Sequence, residues 1–159
     1  MDFVNFSIQP GEISLKTTSG KMILTAYSPG IIRIRYTIAA EFLEHQSLMV
    51  IEDARTPTET SVSETTDSIF FSTSDLTIQI DRHSLSLGYF DKDGCLITSE
   101  PEKGGKTLVP IDVIKSVPIE ERKNSIFVGA DGLRISDCEF NEIPDRKAYH
   151  AKLEFNWVE

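Results

Sequence analysis

Residues 147–157 read Lys-Ala-Tyr-His-Ala-Lys-Leu-Glu-Phe-Asn-Trp, and this stretch decides the class of fold that we predict. The odd positions carry Tyr, Ala, Leu, Phe and Trp, whereas the even positions carry His, Lys, Glu and Asn. Successive side chains of a strand point to opposite faces, so the pattern predicts a strand with one buried aromatic face and one solvated face. Because the only tryptophan, Trp157, stands so near the end of the sequence, we expect the natural polypeptide to continue.

The rest of the chain repeats this two-residue period in short segments. Residues 22–26 and 32–36 alternate on either side of Ser28-Pro29-Gly30, a strong turn signal, and predict a β-hairpin. Residues 69–97 contain three alternating runs joined by two polar connections, which predict an antiparallel meander. Short strands without a convincing long helix predict an all-β fold, an antiparallel sandwich or barrel, formed by one domain over residues 1–159.

Three segments are less regular. The stretch from Ala39 to Val50 fits either a helix or a strand, and that choice stays open. Residues 108–117 are apolar but contain Pro110, which disfavours both a central strand and a helix. Residues 144–146 are expected to form a loop that leads into the final strand. The first strand is expected at Glu12.

Composition excludes several classes of function. The formal net charge of −9 argues against nucleic acid, because binding a phosphate backbone requires a clustered cationic surface. No segment is apolar enough to cross a bilayer, and the N-terminus lacks the pattern of a signal peptide, so we expect a cytoplasmic protein. Cys95 and Cys138 lie far apart and, with only three histidines, give no zinc-site spacing.

Two glycine-containing motifs have ordinary explanations. Gly104-Gly105-Lys106-Thr107 resembles the end of a phosphate-binding loop, but Glu100 stands where the pattern needs glycine, and no helix is predicted to follow. We therefore expect a surface loop. Asp91-Lys92-Asp93-Gly94 resembles the start of a calcium loop but lacks a suitably spaced glutamate, so we expect a hairpin turn.

The remaining candidates do not define a site either. His150 and Glu154 share the polar face of the final strand, about 13 Å apart, and His45 and His83 are expected on the surface. A retaining glycosidase needs two carboxyl groups held about 5–5.5 Å apart. The sequence does not single out any pair of acidic residues for that role. We assign no catalytic, cofactor-binding or metal-binding residue. Exposed rings could still form a sugar platform, and the candidates are Tyr27, Phe70 or Phe71, Tyr89 or Phe90, and Phe140.

Three segments together resemble the N-terminal domain of glycoside hydrolase family 31, which includes α-glucosidases and α-xylosidases. They are residues 20–36 with Ser-Pro-Gly-Ile-Ile-Arg-Ile-Arg, the meander of residues 73–94, and residues 146–155, which resemble the strand before a Tyr-Gly-x-Gly-Glu segment. The resemblance implies a galactose-mutarotase-like β-sandwich, a supersandwich, that packs on a (β/α)₈ barrel. In that family the barrel carries both catalytic aspartates, and the parent enzyme is a retaining hydrolase of α-linked glycosides that needs no cofactor.

The function implied is therefore a non-catalytic N-terminal domain that supports the barrel and shapes its substrate entrance. Its expected partners are that barrel and an α-linked oligosaccharide. The resemblance also implies an exposed apolar face that includes Trp157 or Phe155, where the barrel sits. Two alternatives remain: a free-standing carbohydrate-binding module, and a mutarotase-like sugar epimerase that uses His150.

Overall fold

The computed structural model describes residues 3–42, 55–118, 126–128, 134–136 and 140–157. The described residues contain strands and no helix, and every strand pairing with a register is antiparallel. The chain forms two compact units, residues 1–108 with 152–159, and residues 109–151. The described residues form the all-β, antiparallel architecture that the sequence predicts. The division into one domain over residues 1–159 stays a prediction.

The first sheet of the larger unit is a four-stranded meander. Its strands pair in chain order and are β1 (Phe3–Gln9), β2 (Glu12–Thr17), β3 (Gly20–Ser28) and β4 (Ile31–Thr37). The predicted hairpin is confirmed, because β3 and β4 pair from Lys21 opposite Thr37 to Ser28 opposite Ile31 around the Pro29-Gly30 turn. Strand β1 was not predicted, since its alternation is interrupted by a bulge between Phe3 and Asn5.

The second sheet has six strands and contains the predicted meander. Its strands are β5 (Ser61–Glu64), β6 (Ser68–Ser72), β7 (Leu76–Asp81), β8 (Leu87–Asp91), β9 (Leu96–Ser99) and β14 (Asn156–Trp157), in the order β14-β9-β8-β7-β6-β5. Strand β14 brings the end of the sequence back to the edge of this sheet. Its two residues pair with Ser99 and Thr98 of β9.

The core lies where the two sheets pack face to face. Buried residues of the first sheet come from β2 and β3, and those of the second from β6, β7 and β8 with the preceding turn; they are Ile13, Leu15, Met22, Leu24, Ala26, Ile69, Phe71, Ile78, Ile80, Leu85 and Leu87. All of them except Leu85, which lies in that turn, belong to the apolar half of an alternating strand, as expected for a sheet with one buried face. Burying such side chains stabilises by roughly 1.5–3 kcal/mol each.

The smaller unit consists of strands that pair in twos. Strands β10 (Lys106–Pro118) and β13 (Phe140–Leu153) form one sheet, and β11 (Ile126–Val128) and β12 (Arg134–Ser136) form another. Pro110 lies within β10, which agrees with the expectation that it disfavours a central strand and a helix, because each strand of a two-stranded sheet is an edge strand. The expectation of a loop at residues 144–146 is wrong, because these residues continue β13.

The ambiguous stretch from Ala39 to Val50 lies mostly outside the described residues. Its described part, residues 39–42, is not helical and follows the end of β4. Among the residues that the structure describes there is no helix long and apolar enough to cross a membrane.

Gly105 contacts the end of the chain within the larger unit, and a substitution at this glycine tests that contact. Its carbonyl accepts a hydrogen bond from the Glu154 amide at 2.9 Å, and a Cβ on Gly105 would lie 2.5 Å from the Glu154 carbonyl oxygen. Gly105→Ala should therefore lower the free energy of unfolding by about 1–3 kcal/mol, measured by urea denaturation. Gly30→Ala is the matched control, because nothing lies within 4 Å of its added Cβ. Equal stability of the two variants would contradict the prediction.

Candidate functional site

A buried ion pair lies where the chain leaves the six-stranded sheet. The side chains of Lys106 and Glu100 are 9% and 3% exposed, and Lys106 Nζ donates to Glu100 Oε2. The same carboxylate oxygen accepts the Leu87 amide at 3.0 Å, and Lys106 Nζ also donates to the Leu85 carbonyl at 3.1 Å. The pair thus connects the end of β9, the start of β10 and the turn before β8.

The sequence did not predict this pair. The Gly104–Thr107 motif contains no phosphate-binding loop, because Lys106 begins a strand and no helix N-terminus follows it. The expected surface loop would leave Lys106 exposed, but its side chain is buried and the residue begins a strand. The sequence did contain one sign of this ion pair. Glu100 occupies the position where the phosphate-binding pattern needs glycine, and in the structure its carboxylate pairs with Lys106 of the same motif.

Burial shifts the titration of the groups around the pair. Desolvation lowers the pKa of Lys106, and the hydrogen bond and charge of Glu100 oppose that shift. Burial also raises the pKa of Tyr89, with a further increase from the charge of Glu100. An open cleft of about 380 Å³ lies beside Lys106 and includes Tyr36, His83 and Lys103. Because Glu100 and the Leu85 carbonyl already engage the Lys106 ammonium, its role here is structural.

The second notable feature is an exposed apolar surface at the end of the chain. We call it the terminal apolar surface, and it consists of Leu153, Phe155 and Trp157, which are 64%, 45% and 91% exposed. Trp157 lies opposite Thr98, and Thr98 lies opposite Tyr89, so the tryptophan extends the core-facing side of the six-stranded sheet. The Phe155 and Tyr89 ring centroids are 6.2 Å apart.

The expectation of a buried aromatic face over residues 147–157 is therefore wrong. The two-residue period correctly places apolar side chains on one side of a strand. Burial, however, requires a second layer, and the described residues provide none over Phe155 and Trp157. Their exposure agrees instead with the apolar face that the family resemblance implies.

The predicted hairpin turn at Asp91–Gly94 is confirmed. The Asp91 carboxylate accepts the amides of Asp93 at 2.9 Å and Cys95 at 2.8 Å, and Gly94 has a φ of 80°. The carboxylate therefore completes the turn. No group of three or more His, Cys, Asp or Glu side chains that could hold a metal ion occurs within the described residues.

The structure describes two of the three histidines, His83 and His150, and both are exposed. His150 is exposed, and Glu154 pairs with Lys152 at 2.9 Å. His83 is exposed in the turn after β7, and its ring lies 3.4 Å from Asp67. His45 and Cys138 lie outside the described residues, whereas Cys95 is exposed with a free thiol.

The aromatic candidates separate by face as the alternation predicts. Phe71 is fully buried in the core, whereas its neighbour Phe70 is half-buried on the opposite side of the sheet. Tyr89 packs against the core and Phe90 lies on the other face. Tyr27 lies on the first sheet, where its hydroxyl accepts a hydrogen bond from Arg33 at 2.9 Å. The side chain of Phe140 is outside the described set.

The comparison with family models agrees with this architecture. Residues 21–139 match the model described as the glycosyl hydrolase 31 N-terminal galactose mutarotase-like domain. The match covers more than half of the sequence. The chain therefore belongs to the family of N-terminal galactose mutarotase-like domains of glycosyl hydrolase 31 enzymes.

Solved structures with a similar fold come from much longer enzymes, of which two are GH31 enzymes. A Flavobacterium johnsoniae GH31 dextranase, solved with isomaltotriose, aligns over 74% of this chain and 15% of its own with 20% identity and a TM-score of 0.61. A GH31 α-xylosidase from a soil metagenome aligns over 61% of this chain and 14% of its own with 18% identity and a TM-score of 0.53. The cycloalternan-forming enzyme of Listeria monocytogenes aligns over 64% and 9% with 20% identity and a TM-score of 0.51. The chain thus corresponds to a small part of each.

The ion pair leads to a prediction for stability. Lys106→Met leaves the Glu100 carboxylate buried without its cation and should reduce the free energy of unfolding by about 3–5 kcal/mol. The double variant Glu100→Gln with Lys106→Met keeps an acceptor for the Leu87 amide and removes both charges, so most of the loss should be recovered. Urea denaturation at neutral pH measures both values. A double variant no more stable than Lys106→Met would contradict the charge-burial argument.

The raised pKa of Tyr89 predicts that the free energy of unfolding falls as the pH becomes alkaline. Its pKa is raised in the folded state above the ordinary value of 10.0, so above about pH 10 the unfolded chain loses a proton that the folded chain keeps. This contribution to stability is complete below that pH and is lost as the pH rises further. Tyr89→Phe should therefore show a shallower decline above about pH 10 and unchanged pH dependence near neutrality. Denaturation midpoints across this range test it, and identical alkaline slopes would refute it.

Proposed function

We propose that this chain is the non-catalytic N-terminal domain of a family 31 glycoside hydrolase and that its terminal apolar surface docks a (β/α)₈ catalytic barrel. In this proposal the domain supports the barrel and shapes the entrance to its active site. The barrel supplies the chemistry, a retaining hydrolysis of α-linked glycosides without a cofactor. The observation that carries the proposal is the 91% exposure of Trp157 on the core-facing side of its sheet.

Such exposure is unusual for side chains of this kind. Leu153 ends β13, Phe155 follows it and Trp157 lies in β14, so three exposed apolar side chains alternate along one short stretch of the chain. Several exposed apolar residues in one stretch mark an interaction site more often than isolated ones do. Phe155 already contacts Tyr89 at the margin of the core, so a covering layer would extend the existing core. The family supports a barrel as the covering layer, because the dextranase and the α-xylosidase are far longer than this chain.

The substrate class follows from the same relatives. The dextranase structure holds isomaltotriose and the soil-metagenome α-xylosidase structure holds xylose. We therefore propose an α-linked oligosaccharide as the substrate of the parent enzyme. The catalytic acids are proposed to lie in the barrel, since the described residues contain no convincing catalytic pair.

The source gene gives the most direct test. A reading frame that continues past residue 159 and encodes a (β/α)₈ barrel supports the proposal. A stop codon at that position would remove the proposed partner and overturn it.

Substitutions test the docking surface itself. In the polypeptide that contains the barrel, Leu153→Ser should reduce the free energy of unfolding by about 1.5–3 kcal/mol, because it removes a side chain buried on docking. In the 159-residue chain alone the same change should stay within about 0.5 kcal/mol of the parent. Ile31→Ser is the matched control, since Ile31 is 60% exposed and Leu153 is 64% exposed.

The measurement is thermal or urea unfolding of both polypeptides with each substitution. A loss at Leu153 in the longer polypeptide, with none at Ile31, supports docking at the terminal apolar surface. Equal effects of the two substitutions in the longer polypeptide would place the barrel elsewhere.

A further inference from the structure

The outer face of the six-stranded sheet carries rings that the core does not use. Phe71 and Ile78 point into the core, so their neighbours Phe70 and Gln79 point away from it. Gly88 lies opposite Gln79, and Phe90, two residues further, shares its face. Phe70 and Phe90 are both half-buried, which leaves part of each ring at the surface.

The groups around these rings are polar and uncharged. The register places Ser72 opposite Thr77 and Thr77 opposite Phe90, and the Thr77 hydroxyl donates to Ser72 Oγ at 3.0 Å. Gln79 Nε2 donates to Ser68 Oγ at 2.9 Å, which fixes its amide across the sheet. Asn156 adds a second amide on the same face, opposite Ser99.

The rows through these two rings differ in charge from other parts of the surface. The same outer face also carries Asp81, opposite Ser68, whose carboxylate accepts the His83 and Ser84 amides. Charged residues make up 26% of the sequence. By register, the outer face of the four-stranded sheet carries Lys16, Lys21, Arg33 and Arg35. The rows through Phe70 and Phe90 instead contain hydroxyls, amides, apolar side chains and a glycine.

Gly88 gives the Phe90 ring its position. A Cβ built on Gly88 would lie 3.0 Å from Phe90 Cε2 and 3.6 Å from Phe90 Cζ. The ring therefore folds back along its own strand and covers the glycine. This arrangement turns a flexible aromatic side chain into a flat surface supported by the sheet.

We propose that this face binds a neutral oligosaccharide, with Phe90 and Phe70 as stacking surfaces and the Gln79 and Asn156 amides as hydrogen-bonding groups. A sugar ring presents a face rich in C–H groups, which packs on an aromatic ring, and a rim of hydroxyls, which pairs with amides and hydroxyls. A ligand without charge also matches the uncharged rows through Phe70 and Phe90 in a chain of net charge −9. The proposal does not depend on barrel docking, because Trp157 lies on the opposite side of the sheet.

The test is an isothermal calorimetric titration of the 159-residue chain with soluble dextran and, separately, with maltoheptaose. Phe90→Ala should weaken binding by about tenfold, since it removes a stacking ring. Gly88→Ala keeps every ring and amide but displaces the Phe90 ring, and should weaken binding by about threefold or more. Tyr27→Ala, which removes a half-buried ring from the first sheet, is the matched control and should leave affinity unchanged.

The outcomes are distinct from those of the docking test. Loss of binding in the Phe90 and Gly88 variants, with unchanged affinity in the Tyr27 and Leu153 variants, supports the proposal. Failure of both neutral probes to bind at millimolar concentration would overturn it, as would tighter binding of an anionic polysaccharide such as alginate. A Gly88→Ala chain that unfolds cooperatively and binds as the parent does would show that the ring position is irrelevant.

Discussion

A β-strand has two faces, and a sandwich of two sheets buries only one face of each. This constraint organises the larger unit of the structure. The core includes Ile13 and Leu24 from the first sheet and Phe71 and Ile80 from the second. The residues that alternate with the core residues along these strands point away from the core. Both proposed functional surfaces are consequences of what the core leaves uncovered.

The six-stranded sheet is uncovered in two different ways. On its core-facing side the layer of buried residues ends at β8, and the sheet continues through β9 to Trp157 at the β14 edge. On its outer side Phe70 and Phe90 lie among uncharged polar groups. Apolar side chains at an open edge suit a protein layer that completes the core. Rings among amides and hydroxyls suit a ligand that needs both kinds of contact.

The Lys106–Glu100 ion pair connects the start of β10 and the end of β9 with the turn before β8. A buried ion pair contributes little net stability, but losing one partner is costly because the other charge stays buried. The pair also accepts the Leu87 amide and donates to the Leu85 carbonyl, so it constrains the backbone before β8. The Gly105 carbonyl next to it accepts the Glu154 amide, which fixes the approach of the chain to β14.

Local pattern alone determined the all-β class, the β3–β4 hairpin, the meander and the Asp91–Gly94 turn. These depend on the two-residue period and on turn residues, which act between neighbours in sequence. The family resemblance was likewise carried by short ordered segments. The separation of Phe70 from Phe71 also followed from alternation, because adjacent side chains of a strand cannot share a face.

Tertiary structure decided which alternating faces are buried. An alternating strand is the same whether or not a second layer covers it, so residues 147–157 could not reveal that Trp157 is 91% exposed. The pairing of Glu100 with Lys106 and the support of the Phe90 ring by Gly88 likewise depend on how separate segments meet. Burial, charge pairing and ring orientation are properties of contacts across the fold, and a pattern along one strand does not contain them.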